Sequence, residues 1–123
     1  MVTFRQAFGQ SAERRAARFL RRSGYRILET NYRNRIGEID IIAKDGDALV
    51  FVEVKARRSN RYGGPKAAVT HRKQRKISMT ALAYLKETRQ SDVKARFDVV
   101  AVYGQDNASA IELVRNAFEI AYD

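Results

Sequence analysis

GEIDIIAKDGDALVFVEVKARR, residues 37 to 58, holds two apolar runs joined by a polar turn, and each run is interrupted by charge. EIDIIA and LVFVEVK have the length and β-branched content of strands, and KDGDA between them supplies the Asp and Gly that tight turns favour. The stretch reads as a β-hairpin. Asp40 stands between isoleucines, and Glu53 and Lys55 stand among valines. A strand shaped only by stability would be apolar at such places, because a buried unpaired charge costs about several kcal/mol.

Side chains alternate along a strand, so Glu38 and Asp40 share one face and Glu53, Lys55 and Arg57 share another. With Gly46 and Asp47 as a two-residue loop, Asp45 pairs with Ala48, which sets Asp40 opposite Glu53 and Glu38 opposite Lys55. A slip of one residue turns Glu53 to the other face. In the register that gathers the charges, two carboxylates confront each other, which is destabilising without a cation. Lys55 supplies part of that charge, and Glu38 is a candidate ion-pair partner for it. A structural ion-pair cluster is one reading. The surplus of acid, Asp40 and Glu53 with Glu13 from the preceding helix, favours a divalent ion instead. Oxygen ligands with no Cys or His nearby select Mg²⁺ or Mn²⁺. Such a site suits phosphodiester hydrolysis, with Lys55 positioning the attacking water or stabilising charge on the phosphate.

Working outward, residues 11 to 23 read as a helix with Ser11 as N-cap and Gly24 as its stop, although Thr3 and Gln6 have the spacing of a capping box and allow an earlier start. Ala12, Ala16, Ala17, Phe19 and Leu20 fall on one arc and five arginines on the opposite one. Glu13 lies inside the apolar arc, where it serves either the helix N-terminus or a site. Residues 25 to 30 suggest a first strand, followed by the basic turn NYRNRIG. A second helix runs from Thr70, its N-cap, to Thr88, with Val69, Ile77, Ala81, Tyr84 and Leu85 as its apolar stripe. Strands at 96–103 and 110–115 follow. The order α-β-β-β-α-β-β predicts an α/β fold, a mixed sheet flanked by helices, since a helical crossover returns the chain parallel.

A chain of 123 residues fits a single domain with one core, and no apolar run approaches the length of a bilayer span. The Arg-rich N-terminus carries Glu13 and few serines, which favours a native helix over a transit peptide. With no cysteine and one histidine, disulfides and thiolate or His-rich zinc sites are excluded, and a cytoplasmic location is the expectation. The net charge of +10 attracts polyanions, nucleic acid first among them. Residues 55 to 76 carry nine lysines and arginines and no acid. Arg35, Arg57, Arg58, Arg72 and Lys73 are the candidate nucleic-acid contacts, Lys73 being equally able to snorkel from the core. His71 reads as a surface group, and Asp98 as strand-terminal structure near Arg96 without a catalytic role.

Asp40 followed by Glu53-Val54-Lys55 on the next strand resembles the D-x(n)-E-x-K signature of the PD-(D/E)xK nuclease superfamily, with Ile39 where the proline of that name would stand. Nearly the whole chain is similar to the YraN family of predicted endonucleases, related to archaeal Holliday junction resolvases. The likeness runs through Gly9 to Glu13, Gly24-Tyr25, Asn31, Gly37 to Asp40, Phe51 to Arg57, Lys73 and Arg96 to Val100. It implies the restriction-endonuclease-like fold, with Glu13, Asp40, Glu53 and Lys55 as active-site positions and the Val54 carbonyl as a further metal ligand. It also implies DNA as substrate, branched or structured DNA in repair or recombination, and a homodimer like that of the junction resolvases. The competing readings are a non-catalytic nucleic-acid-binding module on the same fold and an RNA-directed nuclease.

Overall fold

The computed structural model describes residues 3–57, 69–90, 92–104 and 111–121, apart from the side chains of residues 4, 5, 7 and 8. Helix α1 (Phe4–Arg22) starts eight residues before Ser11, at Thr3. The Thr3 hydroxyl accepts from the Gln6 amide at 3.1 Å and Gln6 returns a bond to the Thr3 amide at 3.0 Å. This reciprocal box satisfies two helix-end donors, and it wins over a lone serine cap. At the other end Gly24 adopts φ +95° and the Tyr25 amide reaches back to the Leu20 carbonyl at 2.9 Å, so Gly24 stops the helix as predicted.

Five strands follow the predicted order. They are β1 (Arg26–Arg33), β2 (Glu38–Asp45), β3 (Ala48–Arg57), β4 (Ala95–Tyr103) and β5 (Ile111–Phe118), with helix α2 (His71–Glu87) between β3 and β4. The sheet order is β1-β2-β3-β4-β5, antiparallel except for the parallel β3–β4 pair that the α2 crossover produces. This is an α/β, restriction-endonuclease-like architecture: a five-stranded mixed sheet flanked by two helices. β1 runs three residues further than expected and takes in Tyr32 and Arg33. Asn31 holds a left-handed φ of +53° within it, a conformation that Asn tolerates better than most residues.

Each sheet face packs one helix. Ala12, Ala16, Ala17 and Leu20 of α1 lie over Ile41, Val50, Val52, Val100 and Val102. On the other face Ile77, Ala81, Tyr84 and Leu85 of α2 meet Ile42, Phe51, Phe97 and Val99. Rings extend that layer from helix to edge strand: Tyr84 and Phe51 are 5.8 Å apart, Phe51 and Phe97 5.7 Å, Phe97 and Phe118 4.8 Å.

α2 approaches the β1–β2 turn closely. Asn34 caps that turn, its side-chain oxygen accepting from the amides of Ile36 and Gly37, while its amide donates to the Thr80 carbonyl. A Cβ on Gly37 would lie 2.9 Å from the Thr80 hydroxyl, which is itself buried and bonded to the Lys76 carbonyl. Gly37→Ala is therefore expected to destabilise the fold by about 1–3 kcal/mol, the cost of overpacking a rigid contact. A urea midpoint equal to that of the wild type would contradict the close approach.

Asp98 corrects its reading as strand-terminal. It lies inside β4 and is fully buried beneath α1. Its carboxylate accepts from Tyr25 Oη at 2.7 Å, from Arg96 Nε at 2.9 Å and from the Asn116 amide at 2.9 Å. Arg96 goes on to Asp45 at 2.7 Å, so the network joins Tyr25, just before β1, to β2, β4 and β5.

Candidate active site

The hairpin register is the one that gathers charge. Asp45 pairs with Ala48 around Gly46 and Asp47, and the ladder continues to Ile41 opposite Val52. There it ends. Asp40 Oδ2 accepts the Val54 amide at 2.7 Å, so a side chain takes the place of a strand partner. The alternation of faces also breaks here: Ile39 packs with the α2 layer, whereas Ile41, of the same parity, packs with the α1 layer. Asp40 consequently borders two hollows. One, of about 410 Å³, lies under α1 and includes Glu13. The other, of about 260 Å³, lies beside α2 and includes Glu53 and Lys73.

Glu53 is mostly buried, its side chain 14 % exposed. Burial, then the charge of Asp40 and a hydrogen bond to its carboxyl, push the Glu53 carboxyl up from its ordinary 4.5 to about 8. Glu53 thus keeps its proton at neutral pH beside the Asp40 carboxyl. Lys73 Nζ lies 4.0 Å from Glu53 Oε1 and offsets part of this repulsion, as does Lys55. Burial lowers the proton affinity of Lys55, and interaction with Lys73 lowers it further. Glu13 is half-buried and stands in the field of Asp40. Burial and then that charge raise its pKa, and contact with Asn31 opposes the rise.

The structure therefore brings Asp40, Glu53, Lys55 and Lys73 together, with Glu13 reaching Asp40 from the α1 side. Glu38 borders the same hollow as Glu53 and Lys73, but its ion pair turns away from Lys55. Because the Asp40–Val54 bond ends the β2–β3 ladder, Glu38 stays with β1 and pairs with exposed Arg33 at 2.8 Å rather than with Lys55. Arg72 is exposed in the first turn of α2, and His71 beside it is exposed as well. Arg57 is half-buried at the end of β3, and its carbonyl accepts the Gly104 amide. Arg35 lies away from the carboxylates, in the β1–β2 turn beside Tyr32, Ala83 and Glu87. Arg58 falls outside the described residues. Lys76 borders the Glu53 hollow without having been singled out. Its position three residues after Lys73, on the same helix face, is the signal that points to it. Among the described residues no group of three or more Asp, Glu, His or Cys side chains is gathered to hold a metal, so the acidic core of the site is the Asp40–Glu53 pair.

The model of the uncharacterised protein family UPF0102 matches residues 12–102, a span that contains every one of these site residues. The chain belongs to the UPF0102 family. It is 55% identical over 119 residues to a UPF0102 protein of Desulfosudis oleivorans, covering 97% of this chain and 95% of the relative. A UPF0102 protein of Syntrophus aciditrophicus is 55% identical over 114 residues, 93% of this chain and 90% of that one. One from Geobacter metallireducens is 48% identical over 122 residues, 99% and 100% of the two chains. UPF0102 is the YraN group, so the resemblance carried by the G-E-I-D and F-V-E-V-K-x-R segments holds over nearly the full chain.

Proposed function

We propose that this UPF0102 protein is a Mg²⁺- or Mn²⁺-dependent endonuclease that hydrolyses phosphodiester bonds in DNA. The observation that carries this reading is the pairing of Asp40 with Glu53 at the splayed end of the β2–β3 hairpin, with Lys55 and Lys73 beside them. A carboxyl buried beside another, as Glu53 is beside Asp40, is a poor structural device, because it is stabilised only while it remains neutral. The same pair fits a hard dication, which binds one or two carboxylates and leaves its other positions to water and phosphate. Asp40, Glu53 and the Val54 carbonyl would hold the ion, whose contribution when bound is to polarise a phosphoryl oxygen and acidify a water. Lys73 and Lys76 border the hollow with positive charge and draw the phosphate toward Glu53. Lys55, beside Glu53, would position the attacking water or stabilise charge on the phosphate. Glu13, beside Asp40, is placed to orient a water on the α1 side.

The deciding experiment is a cleavage assay with each ion over linear, flapped and four-way DNA and over RNA, run beside Asp40→Asn and Lys55→Ala. Metal-dependent cutting of DNA that both substitutions remove supports the enzyme. Binding without cutting of any substrate replaces it with a nucleic-acid-binding module, and cutting confined to RNA replaces the substrate.

A second measurement needs no substrate. Between pH 6 and 8 an ion entering the pair displaces the proton held by Glu53, so Mn²⁺ affinity is expected to rise by up to about tenfold per pH unit and to level off above about 8. Titration calorimetry in buffers of different ionisation enthalpy should show about one proton released per ion at the lower pH. Affinity that stays flat across this range would mean that the ion sits elsewhere.

Basic residues on α2 and at the end of β3 surround the carboxylates, so the polyanion reading extends to Arg57, Arg72 and Lys73 as phosphate contacts. Arg35, remote from the carboxylates, would touch the substrate only at a distance from the cut. No helix is long and apolar enough to cross a membrane, among the described residues.

A further inference from the structure

Helix α1 carries six arginines and a single acid, Glu13. On a 100° wheel Arg14, Arg18 and Arg21 fall within about 60° of one another, from beside Ala17 round to the face opposite the buried stripe, with Arg22 and Arg15 following beyond them. The three do not face open solvent alone. They form one wall of the hollow of about 410 Å³ whose opposite wall is Thr30 and Asn31 of β1 and whose floor includes Asp40. All three are exposed, and no described carboxylate pairs with any of them. Arg15 by contrast is committed to the Gly104 carbonyl at 2.7 Å.

We infer that the groove between α1 and β1 receives an unpaired strand of nucleic acid, held by its phosphates and leading to Asp40. This deepens the nuclease reading by naming the substrate's form, and it rests on that reading for the role of Asp40 alone. From Arg14 to Arg21 the helix rises about 10 Å, enough to span roughly three phosphates at duplex spacing. A hollow of about 410 Å³ has the size of a site for one drug-sized group, so it admits a nucleotide of a single strand and not a duplex. Among the described residues no aromatic side chain lines the groove, so the contacts on offer are to the phosphate backbone, which carries no sequence information.

The test compares a blunt duplex with the same duplex carrying a single-stranded overhang, by fluorescence anisotropy in EDTA, for the wild type and the triple variant Arg14→Gln, Arg18→Gln, Arg21→Gln. The wild type is expected to favour the overhang. The triple variant should lose about ten- to a hundredfold in affinity for the overhang and less than about threefold for the blunt duplex, and its log–log salt slope should fall by about 2. Equal losses on both probes, or no loss on the overhang, overturn the inference. Because no cation is present, the outcome is independent of cleavage. A chain that cuts DNA yet binds both probes alike sinks the groove and spares the nuclease, and a chain that never cuts yet shows the overhang preference does the reverse.

Discussion

Asp40→Asn is expected to abolish metal-dependent cleavage, with a loss of at least about a thousandfold, while leaving the fold intact. Asn keeps an oxygen able to accept the Val54 amide, the one backbone contact that the carboxylate makes, so the splayed end of the hairpin keeps its shape. What is lost is one of two anionic ligands and the charge that would hold a dication beside the phosphate, a contribution of the size usually traced to a single preorganised electrostatic group. A substitution that removed activity merely by unfolding the chain would fail a second readout. In the folded wild type Glu53 keeps its proton up to about pH 8, whereas in the unfolded chain it releases it near 4.5. The folded state therefore binds the extra proton, and stability falls as pH rises through that interval. Removing the Asp40 charge removes one of the causes, although burial, the largest, remains. Asp40→Asn should thus be inactive and yet more stable than the metal-free wild type at pH 8, by about 1–2 kcal/mol, with the difference shrinking toward pH 5. Urea melts at the two pH values measure it. A variant less stable than the wild type at both would mean that Asp40 is held by contacts that its anionic charge satisfies.

The cost in stability of these charges explains why the candidate site could be read from the chain at all. Asp40, Glu53 and Lys55 break the rule that strands fill their buried positions with apolar residues, and such breaks concentrate at functional positions. The register followed from local chemistry, because Gly46 and Asp47 fit a two-residue loop and only that loop brings the charges together. α2 was equally legible, since its cap at Thr70 and its stripe of Ile77, Ala81, Tyr84 and Leu85 are encoded within one helix. Other features are encoded across distance. The start of α1 required choosing between Thr3 and Ser11, and the choice turned on a reciprocal hydrogen bond that spacing permits but does not compel. Glu38 paired with Arg33 because Asp40 ends the ladder, an event that pairwise register arithmetic carries straight through. The partners of Asp98 lie up to 73 residues away in the chain, so nothing nearby announces its burial.

Asp98→Ala should cost about 3–5 kcal/mol, the range found when one partner of a buried, hydrogen-bonded charge pair is removed. The reason is positional. β4 and β5 pair regularly from Val102–Ile111 to Val99–Val114, and the register then shifts, with Phe97 opposite Phe118. Asn116 sits in that irregularity at φ +52°, and its amide, deprived of a ladder partner, finds Asp98 Oδ1. The other oxygen accepts Tyr25 Oη, whose ring is flanked by the guanidinium groups of Arg96 and Arg115 at 5.8 and 5.7 Å. Hydrogen bonding to Asp98 raises the Arg96 pKa beyond its already high value, so Arg96 stays charged at every working pH. Truncation would deprive the buried Tyr25 hydroxyl, the Asn116 amide and part of Arg96 of the carboxylate that accepts from them. If this account is right, Arg96→Met made together with Asp98→Ala costs less than the sum of the two single changes, because the second substitution removes the charge that the first one strands. Additive losses would instead place the cost of Asp98→Ala in cavity and bulge, with the ion pair contributing nothing. The Asp98 carboxylate is bonded to Tyr25, Arg96 and the Asn116 amide, none of which belongs to the Asp40–Glu53 site. A destabilised Asp98 variant should therefore keep Mn²⁺ affinity while folded, which separates the residue that holds the strands together from those proposed to hold the ion.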